Sequence, residues 1–115
     1  MSNPTDASCL TLDIDRNGDT AVVRCSGRLI TGVNGPFYLK VSQLIPTSKR
    51  IVLDLTNLTH MDSTGIGTVV RLYVSARSSG CELQLVNLGQ RIRELLRMTN
   101  VLSIFSVCGE HNIRT

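Results

Sequence analysis

From residue 37 onward, apolar residues at helical spacing alternate with short β-branched runs, and this rhythm constrains the fold more than any other feature. Phe37, Val41, Leu44 and Ile45 fall at i, i+4, i+7 and i+8, one stripe of an amphipathic helix. Ile51-Val52-Leu53-Asp54-Leu55 follows and reads as a buried strand of a partly parallel sheet. Ile66, Val69, Val70, Tyr73 and Val74 return to the helical period, with Arg77 at the rim. Glu82 to Val86 alternates as a strand, with Leu83 and Leu85 set against Gln84. Ile92, Leu95 and Leu96 face inward on a short helix over 89–98, and Leu102 to Val107 gives a last apolar strand. Strand, helix, strand in repetition implies right-handed crossovers and a mainly parallel sheet.

The chain before residue 37 has a different pattern. Two alternating runs flank Asn17-Gly18, a strong short hairpin signal because both residues tolerate positive φ. With those two at the tip, Ile14 lies opposite Ala21, Leu12 opposite Val23 and Leu10 opposite Cys25, all on one apolar face. A connection over 28–35 leads to Pro36, expected at the first helical position with Asn34 or Gly35 as cap. Pro46 closes that helix. Gly80 suits the position after the next helix, and Asn100 can end the last one in a left-handed conformation. The expectation is one α/β domain over 1–115, with an N-terminal antiparallel hairpin, a core from about 9 to 108, and flexible ends at 1–7 and 109–115.

Composition narrows the class. The 115 residues suit one core, and with 3% aromatics that core must be built of Leu, Ile and Val. The net charge of +3 is a mild excess, and the cluster Arg91, Arg93 and Arg97 is interrupted by Glu94. That footprint argues against direct nucleic-acid binding. Cys9, Cys25, Cys81 and Cys108 form no CxxC pair, and with 2 His no metal set is evident. No apolar stretch approaches a membrane span, and the start MSNPTDAS lacks the features of a signal peptide. A reducing cytoplasm and no cofactor are expected.

One segment carries chemistry: Ile51 to Gly67 reads as a buried strand, a short loop and a helix start. In open α/β sheets, sites gather at the carboxyl ends of strands. Ser63 lies there, and its hydroxyl could cap a free N–H of the first turn. A phosphate at the same place would meet free N–H groups and the positive end of the helix dipole, with Asp62 opposing it as a like charge. By spacing alone, Asp62-Ser63-Thr64-Gly65 is first of all a helix cap. Gly65 and Gly67 serve equally as points of close helix–strand contact. Gly65-Ile66-Gly67 lacks the third glycine of a dinucleotide fingerprint. His60, Asp62 and Ser63 do not make a triad, because no G-x-S-x-G elbow is present and a local run does not place an imidazole on a hydroxyl. His60 reads as a loop or surface histidine. No catalytic constellation emerges, so the chain is not expected to be an enzyme.

Asp62-Ser63-Thr64-Gly65-Ile66-Gly67 resembles the D-S-[ST]-G-[LI]-G signature of STAS domains. Gly27-Arg28-Leu29 resembles the segment after that family's second strand. Gln84-Leu85-Val86-Asn87-Leu88 and Arg91-Ile92-Arg93-Glu94-Leu95-Leu96 resemble its later strand and helix. The resemblance implies helices packed mainly on one side of a mixed sheet. It also implies an anti-sigma-factor antagonist, which binds an anti-sigma factor/serine kinase, frees a sigma factor, and is switched off by phosphorylation of the Ser after the Asp, here Ser63. A PP2C-type phosphatase would restore the binding form, in a bacterial cell. Two departures stand out. Many switch-type members carry an Asp shortly after the glycine of the second strand, where this chain reads Gly27-Arg28-Leu29-Ile30-Thr31-Gly32. The family's usual closing helix is expected to be short or missing.

The expected partner face comprises Asp62, Ser63, Thr64, Gly65, Thr68, Arg71, Leu72 and Ser75, with Leu72 as its apolar element and the chain a monomer or weak dimer. The alternatives are a STAS scaffold subunit of a stress-sensing or lipid-transport complex, and a small-ligand or nucleotide-binding module.

Overall fold

The computed structural model describes residues 10–101. Its elements are β1 (Leu10–Asn17), β2 (Thr20–Leu29), α1 (Asn34–Ser42), a 3₁₀ turn (Ile45–Thr47), β3 (Arg50–Met61), α2 (Ser63–Ser78), β4 (Glu82–Val86) and α3 (Gln90–Met98). The strands form one sheet in the order β1-β2-β3-β4. β1 and β2 are antiparallel, and the other neighbours are parallel. This is the mixed α/β architecture the rhythm calls for. The expected last strand, Leu102–Val107, both chain ends and any closing helix lie outside the described residues.

The core is a set of rows across the sheet. Ala21 pairs with Ile51 and Ile51 with Leu83; Val23 pairs with Leu53 and Leu53 with Leu85. All of them are buried, because residues two apart along a strand share a face. Phe37 and Val41 of α1, Val69, Leu72 and Ala76 of α2, and Ile92 and Leu96 of α3 join the same cluster. Fully burying a side chain of this size contributes roughly 1.5–3 kcal/mol. The opposite row (Val22, Arg24, Val52, Asp54) is half-buried or exposed.

The hairpin departs from the expected register. Leu10 lies opposite Gly27, Leu12 opposite Cys25, Ile14 opposite Val23, and Asn17 opposite Thr20. The two-residue loop is therefore Gly18-Asp19. A slip of two keeps every side chain on its own face, so the apolar pattern cannot distinguish the two registers. The turn decides: Gly18 takes φ +63° without steric cost, and Asn17 stays in the ladder. Ile14, expected inward, is 36% exposed. Leu10 and Leu12 border α1 beside Pro36 and Phe37, whereas Ile14 lies beyond that contact on the outermost strand.

Two strands run further than their patterns show. β2 continues through Leu29 and β3 through Met61, so no loop separates the Ile51–Leu55 run from α2. Pairing resumes after register shifts, with Ser26 on Asn57, Gly27 on Leu58, Arg28 on His60 and Leu29 on Met61. These irregularities break the two-residue period and hide the strand in the sequence. α1 starts at Asn34 with Val33 as its backbone cap, placing Pro36 third in the first turn, where its missing N–H is harmless. The helix ends at Ser42, and Pro46 sits in the following 3₁₀ turn. Gly80 (φ +77°) and Asn100 (φ +64°) end α2 and α3 as expected.

Candidate functional site

β2 and β3 run parallel and end side by side, with Leu29 paired to Met61. The next residue, Asp62, donates its N–H to the Leu29 carbonyl at 3.3 Å and turns the chain directly into α2. Asp62, not Ser63, is the helix cap: its Oδ1 accepts the Gly65 N–H at 3.0 Å. Because β3 reaches Met61, Ser63 is already the first helical residue. A carboxylate also suits the positive end of the helix.

Asp62 is more than a cap. The Thr64 hydroxyl donates to Oδ1 at 2.5 Å. The Thr31 N–H and hydroxyl donate to Oδ2 at 3.0 and 3.2 Å. Thr64 Oγ1 in turn accepts Asn34 Nδ2 at 2.6 Å and lies 3.2 Å from Thr31 Oγ1. The carboxylate thus ties the β2–α1 connection to the first turn of α2. The Thr64 hydroxyl, helped by the Gly65 and Thr31 donors, holds the Asp62 carboxyl down at about 2, against the opposing effect of desolvation. Asp62 is therefore anionic at neutral pH.

Ser63 differs from its neighbours. Its side chain is exposed, and among the described residues no hydrogen bond engages its hydroxyl. Gly65 has a steric reason: a Cβ there would lie 2.5 Å from the Leu29 carbonyl oxygen and 3.0 Å from Met61 Cγ. Gly67 has no such reason. It is exposed and a Cβ there would meet nothing within 4 Å, so the expectation of close contact holds for Gly65 alone.

The expected partner face needs two corrections. Leu72 is 0% exposed and Thr68 5%, so neither is an outward contact residue. Leu72 belongs to the core, and the Thr68 hydroxyl is spent on the Thr64 carbonyl at 2.9 Å. The error arises because α2 is covered on two sides, by the sheet and by α1, so its buried stripe is wider than one periodic row. Val74, expected inward, is instead 55% exposed. Arg71 and Ser75 do reach the surface, tied to α1: the Arg71 guanidinium lies 4.4 Å above the Tyr38 ring, and Tyr38 Oη is 3.1 Å from Ser75 Oγ. Asp62, Ser63 and Thr64 thus lie at the N-terminal end of α2, and Arg71 and Ser75 lie further along it beside Tyr38 of α1. Gly65 lies beneath them and is buried.

Sequence reasoning missed Thr31, Asn34 and Tyr38. The one signal for Thr31 was its segment's departure from the family pattern: no carboxylate stands between Gly27 and Gly32, and Thr31 supplies donors to Asp62 there. His60 lies on β3 rather than in a loop. It is exposed, with Nδ1 3.0 Å from Thr59 Oγ1. Cys25 and Cys81 are buried and free. Burial, with Asp54 nearby, pushes the Cys25 thiol up to about 12, which makes it a poor nucleophile. Among the described residues, no three His, Cys, Asp or Glu side chains are placed to hold a metal, and no helix is long and apolar enough to cross a membrane.

A mixed sheet whose parallel strands β2 and β3 end at a capped serine–threonine turn, with an Asp tied across to the neighbouring connection, defines a small α/β module. The chain belongs to the STAS domain family, whose model matches residues 11–113. Among curated relatives, it is 38% identical over 88 residues to an anti-sigma-B factor antagonist of Listeria monocytogenes, covering 72% of this chain and 77% of the relative. It is 25% identical over 91 residues to a STAS-domain containing protein of Pseudomonas aeruginosa, covering 79% and 90%. Among solved structures, it shares its fold with the anti-sigma factor antagonist SpoIIAA in unphosphorylated form, at TM-score 0.70 and 20% identity over 79% of this chain and 82% of that one. The phosphorylated form of SpoIIAA from Bacillus superposes at TM-score 0.67 and 20% identity, over 81% and 86%.

Proposed function

We propose that this chain is an anti-sigma-factor antagonist switched by phosphorylation of Ser63. The observation that carries the reading is an exposed hydroxyl at the first position of α2, directly after an Asp that caps the helix. A phosphate on Ser63 would sit at the positive end of the helix, where such groups are accommodated. It would also add roughly −1.5 to −2 charge beside an Asp62 that is ionised at neutral pH. The surface would change from mildly polar to strongly anionic with no change of fold. That SpoIIAA shares this fold in both its forms agrees with such a switch.

In this reading the unphosphorylated site docks an anti-sigma factor that is also a serine kinase. The docking residues are Asp62, Ser63, Thr64, Arg71 and Ser75, supported from below by Gly65. A PP2C-type phosphatase resets the site. The chain acts as a cytoplasmic binding module, monomeric or weakly dimeric, without catalysis of its own. Burying a dianion at the centre of the contact carries a desolvation cost, and about 1.4 kcal/mol suffices for tenfold weaker binding.

The direct test is incubation with the cognate kinase and ATP, followed by mapping of the phosphate by mass spectrometry. Phosphate on Ser63, and none on Ser63→Ala, supports the site. Phosphate elsewhere with Ser63→Ala still modified defeats it. Ser63→Glu should keep the fold and weaken kinase binding at least about tenfold by calorimetry. Recovery of the chain from its source cell in a large membrane or multi-subunit complex would favour a scaffold role instead.

A further inference from the structure

Ser63 and Thr64 are adjacent hydroxyls at one helix start, both exposed to a kinase. Resting on the phospho-switch reading above, we propose that Thr31, Asn34 and Asp62 form a lock on Thr64 that leaves Ser63 as the only phosphoacceptor of the pair. Thr31 and Asn34 are then specificity-determining residues contributed by the β2–α1 connection and the start of α1.

A hydroxyl that accepts a phosphoryl group must offer a lone pair to phosphorus and release its proton to a base. On Ser63, Oγ attacks the γ-phosphorus of ATP, the new O–P bond forms as the bond to the leaving ADP oxygen breaks, and the hydroxyl proton passes to a base of the kinase. Thr64 has neither requirement free. Its proton is directed at Asp62 Oδ1 over 2.5 Å. Asn34 Nδ2 occupies one lone pair at 2.6 Å, and Thr31 Oγ1 crowds the other at 3.2 Å. Asp62 cannot serve as a built-in base, because its four donors make it a weak proton acceptor. Rotating Thr64 outward would break these bonds together, whereas Ser63 has none to break among the described residues.

The lock has a signature that needs no kinase. Couplings from the backbone to the Thr64 methyl should report a single χ1 rotamer in the wild type and rotamer averaging in Thr31→Val/Asn34→Ala. Averaging already in the wild type overturns the proposal. Phosphorylation then tests its consequence, using ATP and the kinase captured from the source cell on the wild-type chain. Ser63→Ala should take no phosphate on Thr64. Ser63→Ala/Thr31→Val/Asn34→Ala should take it there at a rate at least about tenfold above the detection limit set with Ser63→Ala, since each released hydrogen bond lowers the barrier to rotation. Thr64 modified equally in both backgrounds overturns the lock, and so does a silent triple variant whose couplings show Thr64 released, because the kinase's own register would then choose the residue. A wild-type chain that takes no phosphate at all defeats the phospho-switch reading, and the couplings still decide whether the lock exists.

Discussion

β1 and β3 belong to one sheet and are held in it by different means. β3 is paired on both sides and buries Ile51, Leu53, Leu55, Leu58 and Met61. β1 lies at the edge, has no fully buried residue, and leans on an exposed Asp15–Arg24 ion pair and on Arg16, which donates to Ser48 Oγ and the Thr47 carbonyl. Exposed pairs of this kind contribute little. β3 leads directly into Asp62, so the candidate site is mounted on a strand paired along both edges. β1 contributes no residue to the site, whereas its hairpin partner β2 pairs Leu29 with Met61 and leads into Thr31.

Substitutions can break or sharpen that contrast. The largest effect is expected at the centre: Leu53→Ala should cost about 2–5 kcal/mol by chemical denaturation, and Ile14→Ala on β1 less than about 1 kcal/mol. Equal losses would erase the distinction. Next, Gly65→Ala forces a Cβ against the Leu29 carbonyl and should cost about 1–3 kcal/mol, while Gly67→Ala in open space should stabilise by about 0.5–1 kcal/mol. Thermal melts of the two variants, moving in opposite directions, check this.

Asp62→Ala removes the cap and should cost about 1 kcal/mol near neutral pH. Its pH dependence has a definite sign. The folded carboxyl titrates at about 2, below its ordinary 3.8, so its stabilisation is complete above about pH 4 and is lost as pH falls through 2. The gap between wild type and Asp62→Ala should therefore narrow below about pH 4 and close only below pH 2. A gap as wide at pH 2 as at neutral pH would show that the ionised carboxylate is not what holds the turn. The smallest effect is expected at Ser63: Ser63→Ala should shift stability by no more than about 0.5 kcal/mol, because the hydroxyl is exposed and is not the cap.

Much of the fold was legible in the chain. β4 falls where the Leu83, Gln84, Leu85 alternation puts it, and α3 follows Ile92 and Leu96. The start of α2 was marked by Asp62-Ser63-Thr64-Gly65, but that pattern did not say which residue caps, since both Asp and Ser are good caps. The hairpin slipped by two because face and register are separate questions once the slip is even. The second half of β3 was missed because Thr56, Asn57, Thr59 and His60 carry no apolar alternation across the bulged pairing. Leu72 was misplaced because a single helix gives no sign that a second helix lies against its flank.

The order of elements, the identity of Ser63 as a residue at a helix start, and the need for glycine at Gly18 and Gly80 follow from the sequence, because periodicity and turn preference act over a few residues. The tertiary structure alone decided that Asp62 caps, that Thr31 and Asn34 close on Thr64, and that Leu72 lies inside. The last two outcomes depend on groups about 30 positions apart in the chain, as between Asn34 and Thr64, brought together only when the elements pack. No local preference of either segment encodes such a meeting.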